Sequence, residues 1–284
     1  MAESSVVSVN GVKLHYLIEG TGAPLVLLHG WPETSHCWRK LIPLLAHEFT
    51  LVAPDLRGYG RSDKPATGYD KRTMASDILL LLRELGLQRA ALVGHDRGAR
   101  VAHRLALDHP EAVEALVLLD IVPTREVWER MDATLAVGFW HWLFHLQRDL
   151  PEQLVSKDVA GYLGFFFERW TTNRGALEPD AIEHYVKAFS APGALRAGFD
   201  DYRAAFPTDA EHDDADARDG KRVECPVLVL WGADGLVGTL PVLDIWGRYA
   251  TSVRGAPIDQ CGHFLPEESP GRVAGAIRVF LSGG

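Results

Sequence analysis

The stretch Gly94-His95-Asp96-Arg97-Gly98-Ala99-Arg100 decides the fold. Ahead of it, Ala90-Ala91-Leu92-Val93 is a short apolar run of the kind a buried strand takes. Behind it, Val101 to Leu107 carries a helical pattern that Pro110 ends. A Gly-x-nucleophile-x-Gly pentapeptide between strand and helix is a sharp turn that presents its central side chain at the top of a sheet. The central residue here is Asp96. A serine at that position would suit acyl transfer. A carboxylate attacks carbon directly and leaves an ester that water must then cleave. The turn points to displacement at a saturated carbon.

Working outward, Val6 to Val9 and Val12 to Ile18 predict two strands joined at Asn10-Gly11, a dipeptide suited to a hairpin. Leu25 to Leu28 is a continuous apolar run, as in a central strand covered on both faces. Ser35 to Leu45 predicts a helix interrupted at Pro43, Thr50 to Ala53 a strand, and Thr73 to Leu85 a leucine-rich helix closed by Gly86. Ala115 to Leu119 is the next strand, ending at Asp120. This alternation means a mostly parallel sheet flanked by helices, an α/β architecture. Ligands in such sheets sit beyond the carboxyl ends of the strands. His29, Asp55, Asp96 and Asp120 each follow a predicted strand, so the fold gathers them at one edge.

From Pro123 onward the rhythm breaks and aromatic residues crowd in, with helical spacing throughout. Residues 123–218 read as an inserted helical cap, with the acidic stretch Glu211 to Asp219 as its exposed exit. Residues 1–122 and 219–284 form the core. The sheet resumes at Val227 to Trp231, Ser252-Val253 begins a last strand, and a terminal helix runs from about Glu267 to Leu281. The loop before that helix carries His263.

The bulk numbers narrow the class. A chain of 284 residues with 47% hydrophobic and 24% charged residues is long enough for one large core. Its formal charge of −9 offers nothing to nucleic acid or to an anionic membrane, so an anionic ligand needs a local positive site. Cys37, Cys225 and Cys261 are odd in number and scattered, which predicts a reducing compartment without structural disulfides. The Met1-Ala2-Glu3-Ser4-Ser5 start is not signal-like, and no run reaches the ~20 apolar residues of a membrane span. The expectation is a cytoplasmic protein. No phosphate-binding glycine loop and no His or Cys cluster with ligand spacing is present, so no cofactor or metal is expected.

The order Asp96, Asp120, His263 around the elbow and cap resembles the α/β-hydrolase superfamily over nearly the whole chain. An Asp elbow narrows the resemblance to haloalkane dehalogenases, epoxide hydrolases and haloacetate dehalogenases. The first two groups usually carry Trp after the nucleophile. This chain has Arg97 there and Arg100 one turn later, and His-Asp-Arg-Gly-x-Arg looks like the haloacetate (fluoroacetate) dehalogenase pattern. Two arginines in the first turn of a helix oppose the helix dipole by roughly 0.3–1 kcal/mol each, so their placement needs a reason. At i and i+3 they share a face beside Asp96, and two guanidiniums there would clamp a substrate carboxylate. The competing reading is that they neutralise Asp96, Asp55 or another nearby acid.

The resemblance implies further roles. His141 and Trp142 match the family's halide-binding pair and Tyr202 its halide-binding tyrosine, each a hydrogen-bond donor on an apolar body. His263 is the expected general base that activates water, oriented by Asp120. Asp234 is the rival acid, since many α/β-hydrolases use Trp-Gly-x-x-Asp, but here Asp falls one place early. The backbone N–H groups of Trp31 and Arg97 are the expected oxyanion donors, and Trp170 lines the pocket. His29, Tyr59 and the cysteines are left as structural.

The expected activity is hydrolytic dehalogenation of short 2-haloacids, in a homodimer by analogy with the family and from the frequency of twofold assemblies. Epoxide hydrolysis is the alternative, with Tyr185 and Tyr202 as acids. A non-catalytic binding protein on the same scaffold is a third possibility, though it has no need for Asp96, His263 and an acid together.

Overall fold

The computed structural model describes residues 2–283. Eight strands form one sheet in the order β1-β2-β4-β3-β5-β6-β7-β8. They are β1 (Glu3–Val9), β2 (Val12–Glu19), β3 (Ala23–Leu28), β4 (Phe49–Pro54), β5 (Ala90–His95), β6 (Val113–Leu119), β7 (Val227–Gly232) and β8 (Val253–Ile258). β1 and β2 pair antiparallel, as do β2 and β4, and every other pair is parallel. The apolar runs of β3, β5 and β6 are covered on both faces and form the middle of the core.

The helices are α1 (Ile42–Leu45), α2 (Lys71–Glu84) and α3 (Asp96–Asp108) before β6, and α12 (Val242–Tyr249), α13 (Leu265–Glu268) and α14 (Pro270–Leu281) after β7. Between β6 and β7 lie α4 (Thr124–Glu129), α5 (Ala133–Gly138), α6 (Trp140–His145), α7 (Leu150–Val155), α8 (Val159–Trp170), α9 (Pro179–Phe189), α10 (Ala194–Ala204) and α11 (Ala210–Arg218). Among the described residues no helix is long and apolar enough to cross a membrane. Cys37, Cys225 and Cys261 are free.

Three expectations need correction. Ser35 to Leu45 is not one helix but a 3₁₀ turn, Ser35–Lys40, followed by α1. Pro43 sits in the first turn of α1, where its missing N–H costs nothing. The terminal helix is likewise broken, with Pro270 opening α14 after α13 has ended. The acidic stretch from Glu211 is helix α11 rather than an exposed exit. Its Asp213 and Asp216 pair with the buried guanidinium of Arg104 on α3.

The elbow itself follows from sterics. A Cβ on Gly98 would stand 2.2 Å from Leu28 O and 2.3 Å from His29 O, and one on Gly94 2.4 Å from Ala99 Cα. Only glycines let α3 lie this close to β3 and β5. The turn between them holds Asp96 at a φ of +44°, the left-handed region that costs a non-glycine residue about 1 kcal/mol or more. The rest of the core carries that strain and leaves the carboxylate at the sheet's edge.

Candidate active site

Asp96 follows β5 and opens α3, and the loop after β3 reaches its carboxylate. The backbone N–H of Trp31 donates to Asp96 Oδ2 at 3.1 Å. Burial pushes the Asp96 carboxyl up, but the charges of His263, Arg97, His95 and Arg100 outweigh it and hold the group below its ordinary value. A buried carboxylate kept ionised and poorly hydrated suits a nucleophile.

His263 faces this edge from the loop before α13. Its Nδ1 lies 2.7 Å from Asp120 Oδ2, while Asp120 Oδ1 accepts from Gly232 N at 3.0 Å. A carboxylate on Nδ1 fixes the proton there and leaves Nε2 as the basic nitrogen, which is buried without a partner. Asp234, the rival, is exposed, and the partner of His263 Nδ1 is Asp120. The backbone at His263 is held on both sides: its N–H donates to Trp170 O at 2.8 Å, and its carbonyl accepts from His95 Nε2 at 2.8 Å. Because a carbonyl only accepts, His95 Nε2 carries a proton, and Glu33 Oε2 meets its other nitrogen at 3.1 Å.

Both arginines are buried. Arg97 gives Nε and Nη2 to Asp201 Oδ1, at 3.0 and 2.6 Å, and Nη2 also to Asp201 O. Its Nη1 is buried with no partner. Arg100 gives Nη1 to Val122 O and Thr124 Oγ1, both at 2.9 Å, and its Nε is buried without a partner. Burial and the nearby Arg97 charge pull Arg100 down to about 10, still a full cation at neutral pH. For Arg97, burial is outweighed by Asp201 and the guanidinium is held above its ordinary value.

The aromatic residues singled out in the sequence stand against these cations. The Arg97 guanidinium lies 4.5 Å from the Tyr202 ring and the Arg100 guanidinium 4.8 Å from the Trp142 ring. His141 lies 5.6 Å from Tyr202 and 4.8 Å from Trp170, which in turn contacts His263 at 5.0 Å. Burial lowers His141 to about 3, so it is a neutral donor and acceptor. Trp31 stacks parallel to His141 and closes the same aromatic cage.

Other candidates fall outside. His29 accepts from Leu56 N, and Asp55 is occupied by His15, Ser35 N and Arg61 N. Tyr185 donates to Glu267 Oε1 at 2.7 Å, which removes it as a free acid. Sequence reasoning missed Asp201, Lys71 and Glu268. Asp201 adjoins Tyr202, but its partners lie between 104 and 142 positions away, and no local pattern marks such pairs. Tyr59, read as structural, donates to Asp201 Oδ2 at 2.5 Å.

With this geometry in place, comparison identifies the family. Residues 23–270 match the alpha/beta hydrolase fold. The chain belongs to the alpha/beta hydrolases. It is 40% identical to a fluoroacetate dehalogenase of a Burkholderia species, over 99% of this chain and 94% of that protein. It is 39% identical to a soluble epoxide hydrolase of Corynebacterium sp. (strain C12), over 92% and 91%. The crystal structure of ALR0039 from Nostoc sp PCC 7120 superposes with a TM-score of 0.97 at 44% identity, covering 100% of this alpha/beta hydrolase and 99% of that chain.

Proposed function

We propose that this hydrolase cleaves the carbon–halogen bond of haloacetates and other short 2-haloacids. The observation that carries the reading is the pair of buried guanidiniums beside Asp96, one with Nη1 unpartnered. Buried donors without partners are rare in folded proteins, and one on a guanidinium beside the nucleophile offers a ligand oxygen a hydrogen bond. A substrate carboxylate supplies two charged acceptor oxygens for the two guanidiniums, whereas a neutral epoxide offers one uncharged oxygen.

In the first step an Asp96 carboxylate oxygen attacks the α-carbon, and halide departs with the bonding electron pair. Neutral donors His141, Trp142 and Tyr202 receive it, a contribution that grows as charge develops. In the second step His263 Nε2 takes a proton from water, which attacks the Asp96 carbonyl carbon. The Trp31 N–H already reaches Asp96 Oδ2, where the oxyanion forms, with the Arg97 N–H as second donor. Collapse returns the Asp96 carboxylate and releases the 2-hydroxy acid, glycolate from a haloacetate. The other product is one proton. Residues 123–218 act as the cap that roofs this edge, with Trp170 on its pocket wall, in a cytoplasmic homodimer.

Epoxide hydrolysis is the second reading, favoured by the near-equal identity to the Corynebacterium enzyme and by Tyr202. The commitment of Tyr185 to Glu267 weighs against it. Halide release from fluoroacetate and chloroacetate, set beside diol formation from a neutral epoxide, separates the two. Wild type is expected to release halide, and Asp96→Ala to fall by at least about a thousandfold. Diol without halide would establish the epoxide reading.

A further inference from the structure

The mechanism leaves a buried ionic cluster unused behind Arg97. Asp201 is fully buried and receives Arg97 Nε and Nη2, Tyr59 OH and Lys71 Nζ. Lys71 is itself 3% exposed, and its Nζ has a second carboxylate, Asp209 Oδ2, at 3.8 Å. An interior ammonium is costly even when paired, and an apolar side chain fills such space at lower cost. What the lysine changes is the charge balance at the site. An Arg97–Asp201 pair alone is neutral and cancels much of the field that Arg97 projects toward Asp96. A second cation on the same carboxylate restores that field.

We propose that Asp201 and Lys71 are positioning residues for an anionic substrate. Asp201 fixes the guanidinium so that, of its nitrogens, only Nη1 remains for the ligand, and Lys71 offsets the Asp201 charge so that the arginines can draw one carboxylate into the site. The cations Arg97, Arg100 and Lys71 are set against the carboxylates of Asp96, Asp201 and Asp209, so losing Lys71 leaves the acids in excess where an anion must enter. The ligand class is a short monocarboxylate. The inference rests on the haloacid reading for the reacting substrate, but it concerns binding before chemistry.

The test is the affinity of unreactive acetate and of neutral acetamide for wild type, Lys71→Met and Lys71→Arg, with chloride release from chloroacetate measured in parallel. Lys71→Met is expected to weaken acetate by about tenfold and to leave acetamide unchanged. Lys71→Arg is expected to recover acetate binding. A merely structural role lowers both ligands together, and that result, or no change in either, would overturn the proposal. Lys71→Gln serves as the second variant where Lys71→Met does not fold, with the same selective loss expected. Selective acetate weakening in a protein that releases no halide would sink the haloacid reading and leave this inference standing. Halide release with an unchanged KM in Lys71→Met would sink this inference alone.

Discussion

At the scale of single residues, the site works by giving similar groups different surroundings. Two carboxylates lie at neighbouring strand ends: Asp96 faces the aromatic cage, while Asp120 is bonded to His263 and Gly232 N. Asp120→Asn removes the charge that fixes the imidazole tautomer, so kcat is expected to fall by about a thousandfold or more with KM for a haloacid little changed. Steady-state kinetics check this, and an equal loss in Asp234→Asn with none in Asp120→Asn would reverse the assignment. A second residue-scale prediction concerns acid stability. Burial lowers His103 to about 3, and its Nε2 is buried without a partner. The unfolded chain binds a proton near pH 6.5 that the folded chain refuses. Stability is therefore full above that pH and declines as pH falls toward 3, with a slope of up to about 1.4 kcal/mol per pH unit. His141 acts in the same direction. His103→Leu should flatten the dependence of Tm on pH between about 6.5 and 4.5; an unchanged slope would show that the imidazole is not the source.

At the scale of elements, the loop that carries His263 is held by one side chain of α13. The Glu268 carboxylate accepts from Gly262 N and Phe264 N, on either side of His263, and from Thr172 N and Asn173 N beyond α8. It ties the base loop to the helical insertion with four backbone donors. Glu268→Ala leaves those donors unsatisfied and is expected to cost about 1–3 kcal/mol of stability, with faster amide exchange at 262–264 and a lower kcat. Retention of wild-type exchange there would deny the latch. This latch was not legible in the sequence, because Glu267-Glu268 reads as the solvated start of a helix and its partners lie in another element. The strands and the elbow were legible, since apolar runs and glycine spacing are local consequences of burial and close packing. The arginine pair was legible as an anomaly against the helix dipole. Its restraint by Asp201 was not, because ion pairs between distant segments leave no period to read.

At the scale of the whole molecule, a chain with a formal charge of −9 buries two arginines beside Asp96. The global field repels an anionic substrate while the buried arginines attract it at short range, where salt screens poorly. Raising ionic strength from about 10 to 150 mM shortens the Debye length to ~8 Å and weakens the repulsion first. The value of kcat/KM for a haloacetate is therefore expected to rise modestly with salt, and that for a neutral substrate to stay flat. A steep fall for the anion would place its attraction at the surface instead. The central claim joins Asp96, the substrate class and His263, and one measurement addresses all three. A His263→Asn variant is mixed with chloroacetate, digested and examined by mass spectrometry. The expected result is a carboxymethyl ester on the peptide containing Asp96, formed with one equivalent of chloride and persisting because the base is gone. Chloride release by wild type with no adduct in the variant, or an adduct on any other residue, would contradict the mechanism.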